Sequence, residues 1–402
     1  MAMILEGIRV VDCTVMVAGP GAASMLADLG ADVIHVEQPG VGDMLRGLEK
    51  VYGIPMELPG NRHLLFEDLN RNKRSITLDL RKNEGREILY RLVQKSDVVM
   101  TNMRPKAVGE LGLCYEDLKQ HNPKLVYASA TAFGPKGPEH NAPALDLTGI
   151  ARSGAMWMMG HTSTGPADLF GLYDRVFAIM MAYGVIAALL ARERLGIGQE
   201  VTVSGLSSMM SLTSMILQCF LLGRELPRPD RTKATNPLYN YYKCKDGSWL
   251  CLGFLWEKEW EPFCKATGML ELMDNPKFKD ANARAENHEE LISILDNMVA
   301  TKTFTEWEEI LKQMGAPNIS HVNRLSDLLS DPQVLANEYI VQWDHPILGD
   351  TKWVSYPAQF RDTPASLRTP APECGQHTEE VLLEICGYTW DDIVAFRDQK
   401  VI

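Results

Sequence analysis
The sequence predicts an α/β protein in two parts: a Rossmann-like large domain on a mostly parallel sheet, and a smaller α+β domain. Three observations carry this. Short β-type runs alternate with helix-length segments through the first half. That is the rhythm of βαβ units, whose crossover helices make neighbouring strands run parallel. The rhythm breaks near Leu226, where Pro227, Pro229 and Pro237 mark a linker before a different succession of elements. The composition, 46% hydrophobic and 23% charged over 402 residues, is that of an ordinary globular chain long enough for two cores.

Taken in order, residues 8–11 (Ile-Arg-Val-Val) read as a buried strand, 22–29 as a small-residue helix and 32–36 as a second strand. The pattern returns with a strand at 75–80, a helix at 85–95, a strand at 97–100, a helix at 115–121 and a strand at 124–128. An apolar helix follows at 176–191, closing on Arg192-Glu193-Arg194 and Gly196-Ile197-Gly198. Beyond the linker come two strands, 239–244 and 248–252, joined by Lys245-Asp246-Gly247, a turn that needs the glycine's freedom at positive φ. Helices are expected at 256–267, 288–300 and 305–314, a short apolar piece at 326–329 and a last helix near 378–385. The predicted division is 1–225 for the first part of the large domain, 226–325 for the small domain, and 326–402 for a segment that completes the large one.

Charge and cysteine usage exclude several classes. A net charge of −12 gives no basic footprint for nucleic acid or an anionic membrane surface, though it leaves room for a local basic pocket. The start of the chain lacks a basic region leading into a long apolar stretch, so no secretory signal is visible and a cytoplasmic location is expected. The 176–191 run falls short of the ~20 residues a spanning helix needs and reads as a core helix, with no membrane partner expected. Eight cysteines occur singly, without Cys-x-x-Cys or metal spacing, so they read as reduced thiols and no metal is expected.

Two local features bear on function. Gly19-Pro20-Gly21 with Ser24, and Glu37 at the end of the next strand, come close to a dinucleotide fingerprint. The glycines stand too far after the first strand, however, and Ser24 replaces the third glycine; a small-residue loop in close packing explains them better. The second feature is Asp174, just ahead of the apolar helix. Unpaired N–H groups in a first helical turn favour a charged carboxylate, which suits a carboxylate nucleophile and equally suits a simple capping acid. Local pattern leaves both open, and Asp168 is a second acid on the loop upstream.

Several separated segments point together. Residues 12–20 (Asp-Cys-Thr-Val-Met-Val-Ala-Gly-Pro), 29–37, 42–47 (Gly-Asp-Met-Leu-Arg-Gly), 70–76 (Asn-Arg-Asn-Lys-Arg-Ser-Ile) and 102–105 (Asn-Met-Arg-Pro) resemble the class III CoA-transferase family, which includes formyl-CoA and carnitine CoA-transferases. Segments 111–113, 122–127, 133–138, 189–204, 241–249 and 375–382 match it as well, so the resemblance runs in order over nearly the whole chain. It implies an acyl-CoA:carboxylate CoA-transferase with coenzyme A as co-substrate, and an interlocked homodimer or a heteromer with a related subunit. It places the nucleophile at Asp174 rather than Asp168, and CoA contacts at Val17, Ala18, Lys73, Arg74, Asn102, Met103 and Arg104, with Arg46 and Lys106 as lesser candidates. The implied partners are an acyl-CoA donor and an organic-acid acceptor.

Departures from the pattern narrow this. Formyl-CoA transferases carry a glutamine where this chain has Val17, a basic residue near Gln38, and a glycine-only loop in the second domain that this sequence lacks. The site is therefore more apolar and suits a larger acid, whether aromatic, branched or dicarboxylic. The 156–159 segment (Met-Trp-Met-Met) could supply apolar walls or simply pack a core. Related racemases place a histidine immediately before the Asp that matches Asp146; here that residue is Leu145, while His140 and His161 are out of register. A racemase thus lacks one of its two bases in register. A noncatalytic subunit of a paired complex is the remaining alternative, and the presence of Asp174 argues against it.

Overall fold
The computed structural model describes residues 2–225, 228–315 and 317–402, so the linker positions Leu226 and Pro227 lie outside the described residues. Two compact units form. One takes the residues up to Met156, those from Asp168 to the linker, and Glu338–Ile402; the other takes Trp157–Ala167 and those from the linker to Asn337. The chain re-enters the first unit at Glu338, not at 326, and 157–167 goes with the second unit.

The first unit is built on a six-stranded parallel sheet. Its strands are β1 (Arg9–Cys13), β2 (Asp32–Glu37), β3 (Lys73–Thr77), β4 (Val98–Thr101), β5 (Val126–Thr131) and β6 (Glu200–Ser204), in the spatial order β6-β5-β4-β1-β2-β3. In-register pairs such as Val10↔Val33 and Val10↔Val98 put alternate side chains on opposite faces. On one face Val10, Val33, Val98 and Met100 pack under the helices Ala18–Asp28 and Leu172–Leu195. On the other, Val11, Ile34, Ile76 and Val99 pack under the helix Asn83–Gln94 and under Val381, Leu382, Ile393 and Val401 from the far end of the chain. Both faces are thus covered, as a parallel sheet requires.

Three elements differ from the sequence reading. Gly19, Pro20 and Gly21 lie in the first turn of the Ala18–Asp28 helix and not in a loop. Strand β3 begins two residues earlier than predicted, so Lys73 and Arg74 lie within it. The apolar helix has 24 residues and is long and apolar enough to cross a membrane, so its predicted shortness was wrong. What makes it a core helix is packing: Tyr173, Phe177, Ala178, Met181, Ala182, Val185, Ala188 and Leu189 are buried along one side.

The second unit carries a three-stranded antiparallel sheet of Tyr239–Lys243, Trp249–Gly253 and Ile319–His321. Its hairpin turns at Gly247, with φ at +82°. The helices Trp260–Thr267, His288–Val299 and Phe304–Leu311 enclose a core that includes Tyr242, Phe254, Phe263, Leu291 and Leu295.

Candidate active site
The sheet order fixes where a ligand can enter. From β1 the chain builds outward through β2 and β3, then returns to the other side of β1 to make β4, β5 and β6. Between the carboxyl ends of β1 and β4 the following loops diverge and leave a crevice, the usual ligand site of an open parallel sheet. A cavity of about 540 Å³ lies there. Val15, Met16, Val17 and Ala18 after β1 line it, with Asn102, Met103 and Arg104 after β4 and Ala130 to Ala132 at the end of β5. Asp174, Tyr173 and Phe177 complete the wall from the Leu172–Leu195 helix, alongside His140 and Leu145.

The two loops are locked to each other. The Asn102 side chain accepts from Val15 N at 2.8 Å and donates to Val15 O at 2.7 Å, acting as one more strand rung beyond the ends of β1 and β4. Met16 then takes a positive φ of 66°, turning the chain into the Ala18–Asp28 helix. Behind this loop is a buried ionic cluster. Asp12 receives Lys73 Nζ at 2.8 Å and His35 Nδ1 at 3.0 Å, and Thr14 N donates to its other oxygen at 3.1 Å. Burial opposes the charge on Asp12, yet Lys73 and His35 hold it well below the usual carboxylate range. Burial likewise opposes the His35 imidazolium, but Asp12 raises it to about 9.

Asp174 sits in the first turn of its helix, as predicted, but it is not the cap. That task falls to Asp146, which begins the helix Asp146–Arg152 and accepts from Gly171 N at 2.8 Å and from Asp174 N at 3.1 Å. The sequence reading noticed Asp146 only as a register mark. The Asp174 carboxylate itself accepts no hydrogen bond from the described residues, a costly state for a shielded carboxylate. Burial, and after it the Asp146 charge, push its carboxyl up to about 7, against a smaller pull from Arg175. The neighbouring Tyr173 anchors the turn: its hydroxyl donates to Ala132 O at 2.8 Å, and its ring fills the space where Gly149 and Gly205 lack side chains.

Of the predicted CoA contacts, Val17, Ala18, Asn102, Met103 and Arg104 share the cavity with Asp174; Lys73 and Arg74 do not. Both belong to the opening residues of β3, whereas a parallel sheet presents ligands at the carboxyl ends of its strands. Lys73 is fully buried, with its ammonium shared among Asp12, Asn70 and the Pro20 carbonyl, which exhausts its three donors. Arg74 is paired with Asp32 and Glu380. Arg46 is held by Glu37 at 2.7 Å over the Phe66 ring, and this also occupies the acid that a dinucleotide ribose would need. Lys106 is exposed 3.9 Å from Glu110. In the 156–159 segment, Met156 packs into the first unit's core and Trp157 lies under Arg228 in the second unit; neither lines the cavity. Asp168 is outside the cavity wall as well.

Comparison with known proteins adds a family. The model of CoA-transferase family III matches residues 5–378. The chain is 31% identical, over the full length of both, to (R)-2-hydroxy-4-methylpentanoate CoA-transferase of Clostridioides difficile. It is 32% identical to succinyl-CoA:glutarate CoA-transferase of Mus musculus, over 96% of this chain and 87% of that one. Among solved structures, Rv3272 of M. tuberculosis superposes with a TM-score of 0.82 at 30% identity, covering 94% of this chain and 99% of the other.

Proposed function
The chain belongs to CoA-transferase family III, and from that premise we propose that it moves CoA between an acyl-CoA and a free organic acid with Asp174 as the covalent carrier. The observation that carries this is the Asp174 carboxylate, shielded and without a hydrogen-bond donor among the described residues, in the wall of the switch-point cavity. Such a carboxylate is poorly solvated, which favours attack over resting as an ion pair.

The steps balance as follows. Asp174 attacks the thioester carbonyl, the C–S bond breaks, and a mixed anhydride and a CoA thiolate result. The thiolate attacks the aspartyl carbonyl of that anhydride, releasing the donor's carboxylate and leaving an aspartyl-CoA thioester. An acceptor carboxylate attacks this thioester, giving a second anhydride and the thiolate again. The thiolate then takes the acceptor's acyl group and frees Asp174. No proton moves and no energy of the thioester is lost, provided water stays out. Arg104, exposed at the cavity wall, would receive a CoA phosphate, while Val17, Ala18, Asn102 and Met103 would line the pantetheine path.

Incubating the protein with a panel of acyl-CoAs and no acceptor, then adding hydroxylamine, should convert Asp174 alone to the hydroxamate, read by peptide mass. Trapping at Asp168, or undiminished transfer in Asp174→Ala, would overturn the reading. One observation favours a second reading. His140 lines the same cavity, with Nδ1 3.0 Å from the Gly137 carbonyl, which leaves Nε2 for the substrate. Together with Asp174 it could exchange an α-hydrogen, and deuterium uptake into the acyl-CoA without CoA transfer would select that activity.

A homodimer is part of the same proposal. Ile179, Tyr183, Ile186 and Leu190 are exposed along the side of the Leu172–Leu195 helix away from its buried residues, and Met210 and Leu212 are exposed on the helix Gly205–Leu212 that packs against it. A contiguous apolar stripe of this kind suits burial against a second copy.

A further inference from the structure
Beside the nucleophile stands an aromatic pair with no evident role in packing. Tyr52 and Phe170 have ring centroids 3.8 Å apart, yet they are 48% and 53% exposed. The Tyr52 hydroxyl reaches Asp146 Oδ2 at 3.4 Å, and Phe170 precedes Gly171, whose N–H binds that same oxygen. The pair is thus one carboxylate away from Asp174, whose own N–H binds Oδ1 of Asp146.

The backbone adds a second, independent sign. Tyr52 is at the tip of the hairpin formed by Lys50–Val51 and Ile54–Pro55, where Tyr52 and Gly53 both take positive φ, at 51° and 80°. Such two-residue turns favour Asn or Gly at the first position, and an aromatic residue there is strained. Strain retained for an exposed ring, which gains little by burial, points to a use for that ring.

The charges around the pair set what it can accept. Burial and then the fields of Asp146, Asp168 and Asp174 disfavour ionisation of Tyr52. Among the described residues, Arg175 is tied to Asp68, Arg46 to Glu37 and Arg152 to Glu139. None of these three lines the cavity; the basic groups of its wall are His140 and Arg104, and Arg104 is assigned above to CoA. A second carboxylate on the acyl group would enter the field of Asp146, Asp168 and Asp174 with no lysine or arginine left in the wall to meet it. A flat or branched hydrocarbon would find ring faces instead.

We infer that the Tyr52–Phe170 pair, with Leu145 and Met44 of the cavity wall, is the platform for the acyl group, and that the site takes an uncharged aromatic or branched acyl group and rejects a dicarboxylic one. This rests on the reading of Asp174 as carrier. It makes Tyr52 and Phe170 specificity-determining residues.

The test is self-exchange: isotope-labelled acid is mixed with its own CoA thioester and the entry of label into the thioester is followed, so no partner acid need be known. The probes are 3-phenylpropionate, 4-methylpentanoate, propionate and glutarate, each with its thioester. The parent protein should exchange 3-phenylpropionate or 4-methylpentanoate about a hundredfold more efficiently, in kcat/KM, than glutarate. Tyr52→Ala and Phe170→Ala should each cut the ratio of 3-phenylpropionate to propionate about tenfold, and Tyr52→Phe should restore it, because the ring and not the hydroxyl does the binding. Glutarate exchanging as well as the apolar acids, or unchanged ratios in both alanine variants, overturns the inference while leaving CoA transfer standing. No exchange with any of the four defeats the carrier reading and the platform together.

Discussion
The backbone N–H of Asp174 donates to Asp146 Oδ1 at 3.1 Å, so one acid holds the other in place and repels its charge at the same time. The placing of the Asp174 carboxylate, and the part of its raised ionisation that burial does not supply, therefore depend on a single side chain. Replacing Asp146 with Asn keeps an acceptor and removes the charge. If Asp174 is the carrier, the acid limb of the kcat/KM profile should follow its raised carboxyl, at about 7, and should move to lower pH in Asp146→Asn. Asp146→Ala should also lower kcat, because the helix loses its cap. A profile that stays in place in Asp146→Asn would show that burial alone sets the value.

The raised Asp174 carboxyl also has a cost in stability. An acid whose folded value lies above its unfolded one keeps its proton in the native state while the unfolded chain loses it, so stability falls as pH rises from about 4 to 7 and is level above that. Asp174→Asn escapes this penalty. Its advantage over the parent in urea unfolding should be small at pH 4 and fully open by pH 8, on the order of 4 kcal/mol. Equal stability at pH 8 would mean that the carboxylate is better solvated than its surroundings indicate.

Arg104 and Lys73 should separate cleanly. Arg104→Ala should weaken binding of free CoA by roughly 1.5 to 3 kcal/mol in calorimetry and leave the melting temperature alone, as expected for a charge-assisted contact at an exposed wall. Lys73→Ala leaves Asp12 buried with only His35 against its charge and should destabilise the fold by about 3 to 5 kcal/mol. Parent-like CoA affinity in Arg104→Ala would remove it from the phosphate site.

Gly149 and Gly205 share one neighbour. A Cβ at Gly205 would stand 2.1 Å from the Tyr173 ring and one at Gly149 2.4 Å from it. Each alanine should displace Tyr173, and with it Asp174, lowering kcat and costing about 1 to 3 kcal/mol. Once the ring has moved for one alanine the second should cost less, so the double variant should lose less than the sum. Strict additivity in a thermodynamic cycle would show that the ring is not the common element.

For the helix stripe, Tyr183→Asp with Ile186→Asp should convert a sedimenting dimer to a single chain, because two charges cannot be buried there unpaired. A parent protein that sediments as one chain at micromolar concentration would refute the dimer.

The sheet was legible because β1, β2 and β4 are short apolar runs separated by helix-length segments, and a strand buried on both faces has little else to be made of. Strand β6, Glu-Val-Thr-Val-Ser, was missed since an edge strand alternates and blends into its flanks. The hairpin of Ile340–His345 and Gly349–Val354 was missed for the same reason: its faces alternate between exposed and half-buried side chains. At the site, Asp174 and the residues after β1 and β4 come together as expected, since strand order alone carries them there. Lys73 and Arg74 do not, because a cation read from sequence shows its charge but not the acid waiting across the sheet. Tyr52 and Phe170 carried no sequence signal, being far apart in the chain and unremarkable in their flanks.

The sheet face that carries Val11, Ile34, Ile76 and Val99 is completed by Val381, Leu382, Ile393 and Val401. Chain order and folding order are therefore opposed in the first unit. As the polypeptide leaves the ribosome, Val11, Ile34 and Val99 are made early, and the second unit, a separate core, can form while their cover is still incomplete. The helix Asn83–Gln94 can cover part of this face at once, but the rest of its cover arrives only with the last helices, so completion of the cluster waits for the end of synthesis.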